Sequence, residues 1–256
     1  MKMKRLLVNA VSVAAIASLA TLAHAQPVPL RVLCSNGMRA VVEQLKPELE
    51  RAAGQPLAIE FGTSADVRKK IESGTPFDVA VLTVEVIDGL AKGGKVVPES
   101  VGALGRSAVG VGVRASTSLP DLKTSDGVKK TFLAAKSVTW VGAGAARAQV
   151  DRMLQALGIA DAVAAKVALA QSVEEALERV ADGKSDLAVM LKSEILPAKG
   201  VQYAGPFPGE FASYVSFAGA ASAGTTARRA ADRVVAELRA PASASAYAAK
   251  GMELPH

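Results

Sequence analysis

Histidine is nearly missing from this chain: of 256 residues only two are histidine, His24 in the leading segment and His256 at the last position given. The body between them has no imidazole, which excludes Ser-His-Asp and Cys-His nucleophilic machinery and histidine-rich zinc sites by inventory. Cysteine is equally scarce. Cys34 is the single one, so no intramolecular disulfide can form. It follows Arg31-Val32-Leu33, whereas lipid attachment would want a small residue directly before it, so a buried strand thiol is the reading. Aromatic residues make up only 4% and no basic run occurs, which leaves nucleic-acid binding without support.

The first 25 residues carry a distinct pattern. Lys2, Lys4 and Arg5 precede an apolar run from Leu6 to Leu22, closed by Ala23-His24-Ala25. A positive start, a hydrophobic middle and an A-x-A site predict a secretory signal peptide cleaved after Ala25, and hence a periplasmic protein. Removing those three cations from the 30 basic residues leaves 27 against 24 acidic ones, a net charge of +3. That balance suits an anionic ligand and equally an ordinary solvated surface.

Beyond residue 25, short β-type runs alternate with helical patterns. Strands are expected at Leu30–Cys34, Leu57–Phe61, Val79–Leu82, Ala108–Arg114, Ser137–Val141, Val167–Ala170, Leu187–Leu191 and Ser213–Ala220. Val41, Val42, Leu45 and Leu49 share one helical face, as do Val173, Ala176, Leu177 and Val180. Ser172 and Glu175 have capping-box spacing ahead of the second set. Strand-helix alternation argues for an α/β fold of mostly parallel sheets flanked by helices on both faces. Two stretches read as crossings between lobes: Leu104–Arg114, loosened by glycines at 105, 110 and 112, and Tyr203–Tyr214, with Pro206, Pro208 and Gly209. The division expected is residues 26–107 plus 213–256 for one lobe and 108–212 for the other.

In open α/β sheets, ligands bind beyond the carboxyl ends of strands, where helix starts present unpaired N–H groups and a positive dipole end. Three strand-to-helix joints here carry small or hydroxyl residues. They are Cys34-Ser35-Asn36-Gly37-Met38, Phe61-Gly62-Thr63-Ser64-Ala65 and Val141 through Arg147 (VGAGAAR). Any one of them could be an ordinary helix cap; three in one chain point to an anion site. Arg39 and Arg147 sit near helix starts, where a cation opposes the dipole, a hint of anion contact. Asp78 is read as ordering the turn before its strand. Gly142-x-Gly144-x-x-Arg147 falls short of a dinucleotide fingerprint, because no acidic residue closes a following strand at the needed spacing. Gly62-Thr63-Ser64-Ala65-Asp66 falls short of a nucleophile elbow, lacking both the final glycine and a histidine to activate Ser64.

At these joints the sequence resembles the periplasmic molybdate-binding protein family of ABC importers, within the type II solute-binding fold. The resemblance runs from Arg31-Val32-Leu33 to Tyr247-Ala248-Ala249-Lys250-Gly251. Its most specific part is Phe61-Gly62-Thr63-Ser64 followed by Glu72-Ser73-Gly74-Thr75-Pro76-Phe77-Asp78. It implies ligand contacts from the Ser64 hydroxyl and from the backbone N–H groups of Ala146 and Val173. Two positions depart: the family's first ligand serine falls on Gly37, just after Ser35 and Asn36, and its ligand tyrosine falls on Leu191.

The resulting expectation is a two-lobed periplasmic binding protein, a monomer without cofactor or metal and not an enzyme. It would hold a small anion, a molybdate-like oxyanion, through Ser35, Asn36, Gly37, Thr63, Ser64, Ala146, Arg147 and Val173, and deliver it to an inner-membrane ABC permease. A small organic carboxylate as ligand, and a sensing role toward a membrane receptor, stand as alternatives. An exported enzyme built on carboxylates such as Glu85, Asp88 and Glu194 is the disfavoured class, for want of a paired arrangement.

Overall fold

The computed structural model describes residues 28–254; the signal-peptide pattern lies outside the described residues. The chain begins β1 (Leu30–Ser35), α1 (Arg39–Ala53), β2 (Leu57–Gly62), α2 (Ser64–Glu72), β3 (Val79–Thr83), α3 (Val84–Lys92) and β4 (Gly102–Arg114). It continues through α4 (Ser125–Ala134), β5 (Val138–Val141), α5 (Arg147–Ala156), α6 (Ala160–Ala164), β6 (Val167–Ala170), α7 (Val173–Ala181), β7 (Leu187–Leu191) and α8 (Lys192–Ile195). It closes with β8 (Val201–Pro206), β9 (Tyr214–Ala221), α9 (Arg228–Leu238), α10 (Ala244–Ala249) and β10 (Met252–Glu253). Among the described residues no helix is long and apolar enough to cross a membrane.

The strand order is β2-β1-β3-β9-β4-β7-β5-β6, with β8 and β10 both pairing to β4. This is the α/β, two-part architecture expected, but the sheet is mixed. The outer pairs β1–β2, β1–β3, β5–β6 and β5–β7 are parallel, joined by helical crossovers. The pairs at the middle, β3–β9, β4–β9, β4–β7 and β4–β8, are antiparallel. The reason is β4 itself. From Gly102 to Ala108 it pairs with β9; from Val109 onward it pairs with β7 and β8. One strand therefore belongs to both halves of the molecule.

Seven of the eight expected strands lie within a residue of their expected ends, while β4 begins six residues earlier than read. Its glycines do not loosen it. A Cβ on Gly105 would meet the Tyr247 ring, and one on Gly110 would collide with the Gly205 carbonyl and the Tyr203 side chain. These are positions where neighbours approach the backbone closely. The second crossing is also shorter than expected. Residues 201–206 form β8, so the chain leaves the sheet only at Phe207. Pro206 ends that strand, where a missing N–H is tolerated.

Helices cover both faces, and β1 records it residue by residue: Val32 and Cys34 join one core, Leu33 the other. On the first face Val41, Val42, Leu45 and Leu49 of α1 lie against Val234, Val235 and Leu238 of α9. Burying each such side chain is worth about 1.5–3 kcal/mol. On the opposite face Val67, Ile71, Ile87 and Leu90 close over Leu33, Ala80 and Leu82. In the second half Ala176 and Val180 of α7 cover Ala188 and Met190. Ser172 accepts from the Glu175 N–H at 3.1 Å, and the Glu175 carboxylate accepts from the Gln171 N–H, one residue earlier than a capping box requires. Cys34 is fully buried, and burial pushes its thiol pKa upward.

Asp78 fastens β3 to both of its flanks. Its carboxylate accepts from the Arg31 N–H at 2.8 Å, the Arg31 guanidinium at 3.3 Å and the Thr225 hydroxyl at 2.7 Å. Burial alone would raise its pKa, but these donors outweigh it and hold the carboxyl below its usual value. A depressed pKa means stability that is present above the unfolded-state value and lost as pH falls through the folded one. Asp78→Asn is expected to cost about 1–3 kcal/mol at neutral pH. Thermal melts of both proteins should show the gap narrowing as the solution is acidified through the carboxylate range.

Candidate functional site

The carboxyl ends of β1, β2, β5 and β7 converge on one cavity between the two halves. Its walls are Ser35, Asn36, Thr63, Trp140, Val141, Gly144, Ala145, Ala146, Arg147, Val150, Val173, Val189, Met190 and Glu194. The volume is about 30 Å³, roughly two or three water-sized atoms. The first half supplies Ser35 at the end of β1, Asn36 in the turn before α1, and Thr63 at the start of α2. The second half supplies the turn after β5 and the first residues of α5 and α7. The turn lacks side chains beyond Cβ from Gly142 to Ala146, so its backbone itself forms the wall. Among the described residues, the N–H groups of Ala145 and Ala146 have no hydrogen-bond acceptor in the protein. Val173 is the first residue of α7, where N–H groups lack intrahelical partners.

Most of the formal charge around the cavity is already paired. Arg147 donates to Asp151 at 2.9 Å and lies over the Trp140 ring, 4.5 Å from its centroid. Arg39 of α1 reaches across to Glu174 of α7 at 3.1 Å, donates to the Asn36 side-chain oxygen at 3.0 Å, and stacks on Phe61. That bridge joins the two halves beside the cavity, in a notch that shares Asn36, Val173 and Glu194 with it. Thr63 is occupied with its own helix. Its hydroxyl donates to the Asp66 carboxylate at 2.7 Å and accepts from the Asp66 N–H at 3.1 Å.

Glu194 is the one acid in the cavity wall. It accepts from the Leu191 N–H at 3.1 Å. Burial raises its pKa to about 7; that hydrogen bond opposes the shift, and nearby Glu174 adds to it. Below neutrality the group is therefore largely a neutral acid, able to donate a hydrogen bond; above it the group is an anion.

Six of the eight residues singled out from the sequence line the cavity: Ser35, Asn36, Thr63, Ala146, Arg147 and Val173. Gly37 and Ser64 stand behind the wall. Ser64 is buried at the first turn of α2, and its hydroxyl accepts from the Thr83 N–H at 3.2 Å, tying α2 to the start of α3. Gly37 lies against Phe217 and Leu191; a Cβ there would sit 2.5 Å from one and 2.8 Å from the other. Its carbonyl accepts from the Ser193 hydroxyl at 2.8 Å. The two positions that depart from the molybdate-binding pattern are thus neighbours in space, since Phe217 and Leu191 together fill the volume that a side chain at 37 would need. Sequence reading missed Trp140, Val150, Val189, Met190 and Glu194 as wall residues. Glu194 was legible as the third residue after a strand end; Trp140 and Met190 read as strand interior.

A cavity at strand carboxyl ends, rimmed by helix starts from two halves that share a strand, defines a protein that captures a small solute. The sequence profile described as bacterial extracellular solute-binding protein matches residues 30–253, and the chain belongs to that family. The family implies a small ligand, a membrane ABC permease as partner, and a periplasmic location. Among curated proteins, an aconitate isomerase from a Pseudomonas species is 26% identical over 211 residues, 77% of this chain and 77% of that protein. Among solved structures, the periplasmic molybdate-binding protein of Azotobacter vinelandii matches with a TM-score of 0.71 and 21% identity, over 89% of this chain and 100% of that one. A sulfate-binding protein of Mycobacterium tuberculosis H37Rv matches with a TM-score of 0.69 and 20% identity, over 88% and 86%. At those identities the likeness is one of fold, the type II periplasmic binding protein.

The contact of Gly37 with Leu191 and Phe217 generates a prediction. Gly37→Ser should destabilise the protein by about 1–3 kcal/mol through overpacking. Adding Leu191→Ala should return part of that loss. A double-mutant cycle read by denaturant unfolding checks it; two additive losses would show that the sites do not share space.

Proposed function

We propose that this chain is the solute-binding component of an ABC importer that captures a small anion in the cavity between its halves and hands it unchanged to an inner-membrane permease. The observation carrying this reading is the turn after β5, where Ala145 and Ala146 line the cavity ahead of α5 and their N–H groups have no acceptor among the described residues. Fixed backbone dipoles of this kind hold an anion without a full counter-charge. Closure would occur by bending of β4 and the 207–213 crossing, with the protein acting as a monomer and without metal or cofactor.

The walls favour a carboxylate-bearing ligand, admitted by parting of the halves, since the cavity as it stands has room for roughly two or three water-sized atoms. Trp140, Val141, Val150, Val173, Val189 and Met190 are apolar, and a carbon skeleton gains from that contact where an all-oxygen anion does not. The relative named for aconitate acts on a compound of that kind. A molybdate-like oxyanion is the second reading. It is favoured by the small volume and by the likeness to the Azotobacter protein.

A thermal-shift series with molybdate, tungstate, sulfate, phosphate and short di- and tricarboxylates separates the two, since a ligand that binds only the folded state raises the melting point. Carboxylates are expected to give the larger shift; stabilisation by none of these anions would end the reading. Incubation with aconitate, followed by NMR, tests delivery without chemistry: the spectrum should stay unchanged, and conversion would make the protein an isomerase.

Glu194 adds a pH signature. As pH rises through neutrality it gains a negative charge facing the anion, near Glu174, with Arg39 already bound to Glu174 and Arg147 to Asp151. Affinity should therefore fall on the alkaline side, and Glu194→Gln should flatten the dependence. Calorimetric titrations on both sides of neutrality measure it.

A further inference from the structure

Trp140 is the only tryptophan of the chain. It is 4% exposed, stands in the cavity wall, and its indole nitrogen is buried with no acceptor among the described residues. Buried N–H donors are nearly always paired, because leaving one unmet forfeits its hydration without return. The neighbouring polar groups are engaged elsewhere. Thr63 is bound to Asp66, the Asn36 oxygen to Arg39, Arg147 to Asp151, and one Glu194 oxygen to Leu191. The indole also borders a surface notch on its outer side, but Asp151 and Asp161 line that notch and make it hostile to an anion. Trp140 thus stands between the two spaces, its indole nitrogen covered in both, and of the two only the cavity also presents the acceptor-free amides of Ala145 and Ala146.

We propose that Trp140 is a ligand-binding residue: its indole N–H donates to a carboxylate oxygen of the solute while its ring supplies an apolar wall for the carbon skeleton. The assignment rests on the binding function proposed above and narrows its ligand to an organic acid. Arg147, stacked over the ring at 4.5 Å, holds the indole in place, since an arginine over a tryptophan face is an attractive arrangement.

A lone tryptophan makes the test direct, because its emission and its single indole N–H resonance need no assignment by mutation. The protein without residues 1–25 is titrated with aconitate, succinate and molybdate, and melting point, tryptophan emission and the ¹⁵N-edited indole signal are followed together. Aconitate or succinate should shift the indole proton downfield and change the emission with the same saturation point as the thermal shift. Trp140→Phe keeps the ring and removes the donor. Its unliganded melting point should be equal to or above that of the parent, while carboxylate affinity drops about ten- to hundredfold. If a carboxylate stabilises the protein yet the indole signal stays still, or Trp140→Phe binds as well as the parent, the assignment is wrong while the binding function stands. A response to molybdate alone overturns the organic-acid class, and stabilisation by none of the three overturns both readings. Should the variant fail to fold, the parent's indole resonance decides by itself.

Discussion

One strand that changes partners partway along its length is the constraint from which the rest follows. β4 gives its first half to β9 and its second half to β7 and β8, with the change between Ala108 and Val109. Because its backbone groups are paired on either side of that point, neither half of the molecule can be built without it. The carboxyl ends of β1 and β2 are thereby brought to face those of β5 and β7, which is what creates the cavity. A buried relay reinforces the junction: the Ser193 N–H donates to the Ser107 hydroxyl, and the Ser193 hydroxyl donates to the Gly37 carbonyl. Position 37, which a ligand serine would occupy in the molybdate-binding pattern, instead helps fasten α8 to the first half.

The electrostatics of the cavity follow from economy of charge. Arginines lie close to it, but each is held by an acid of its own, Arg147 by Asp151 and Arg39 by Glu174. What remains for a solute is neutral or nearly so: backbone amides of a side-chain-poor turn, an indole, and a carboxyl whose ionisation lies near neutrality. Such a site suits the proposed anion through oriented dipoles and not by net charge.

Most of the fold was readable in the chain because both of its signals are local. The short apolar run of β1, buried at every position but Arg31, and the 3.6-residue spacing of Val41, Val42, Leu45 and Leu49 depend on neighbours a few positions away. The antiparallel middle was not readable. Pairing partners of β4 come from residues about a hundred positions downstream, and Gly110 looks like a flexible link until Gly205 is seen pressed against it. The site was legible where its chemistry sits at helix starts, since Ser35, Thr63, Ala146 and Val173 are marked by strand-to-helix joints. It was not legible in Trp140 or Met190, which lie in continuous apolar runs that read as any fully buried strand. Nor could sequence tell that the Ser64 hydroxyl would accept from the Thr83 N–H, a partner 19 positions away.

The Arg39–Glu174 bridge has a consequence for the joint between the halves. It spans the two halves next to the cavity without lining it, and both side chains stay partly exposed at 36% and 53%. Dissolved ions compete for such a clasp, whereas they barely reach groups sealed inside. Ionic strength can thus loosen this contact between the halves while hardly reaching the buried pairs that hold each half together.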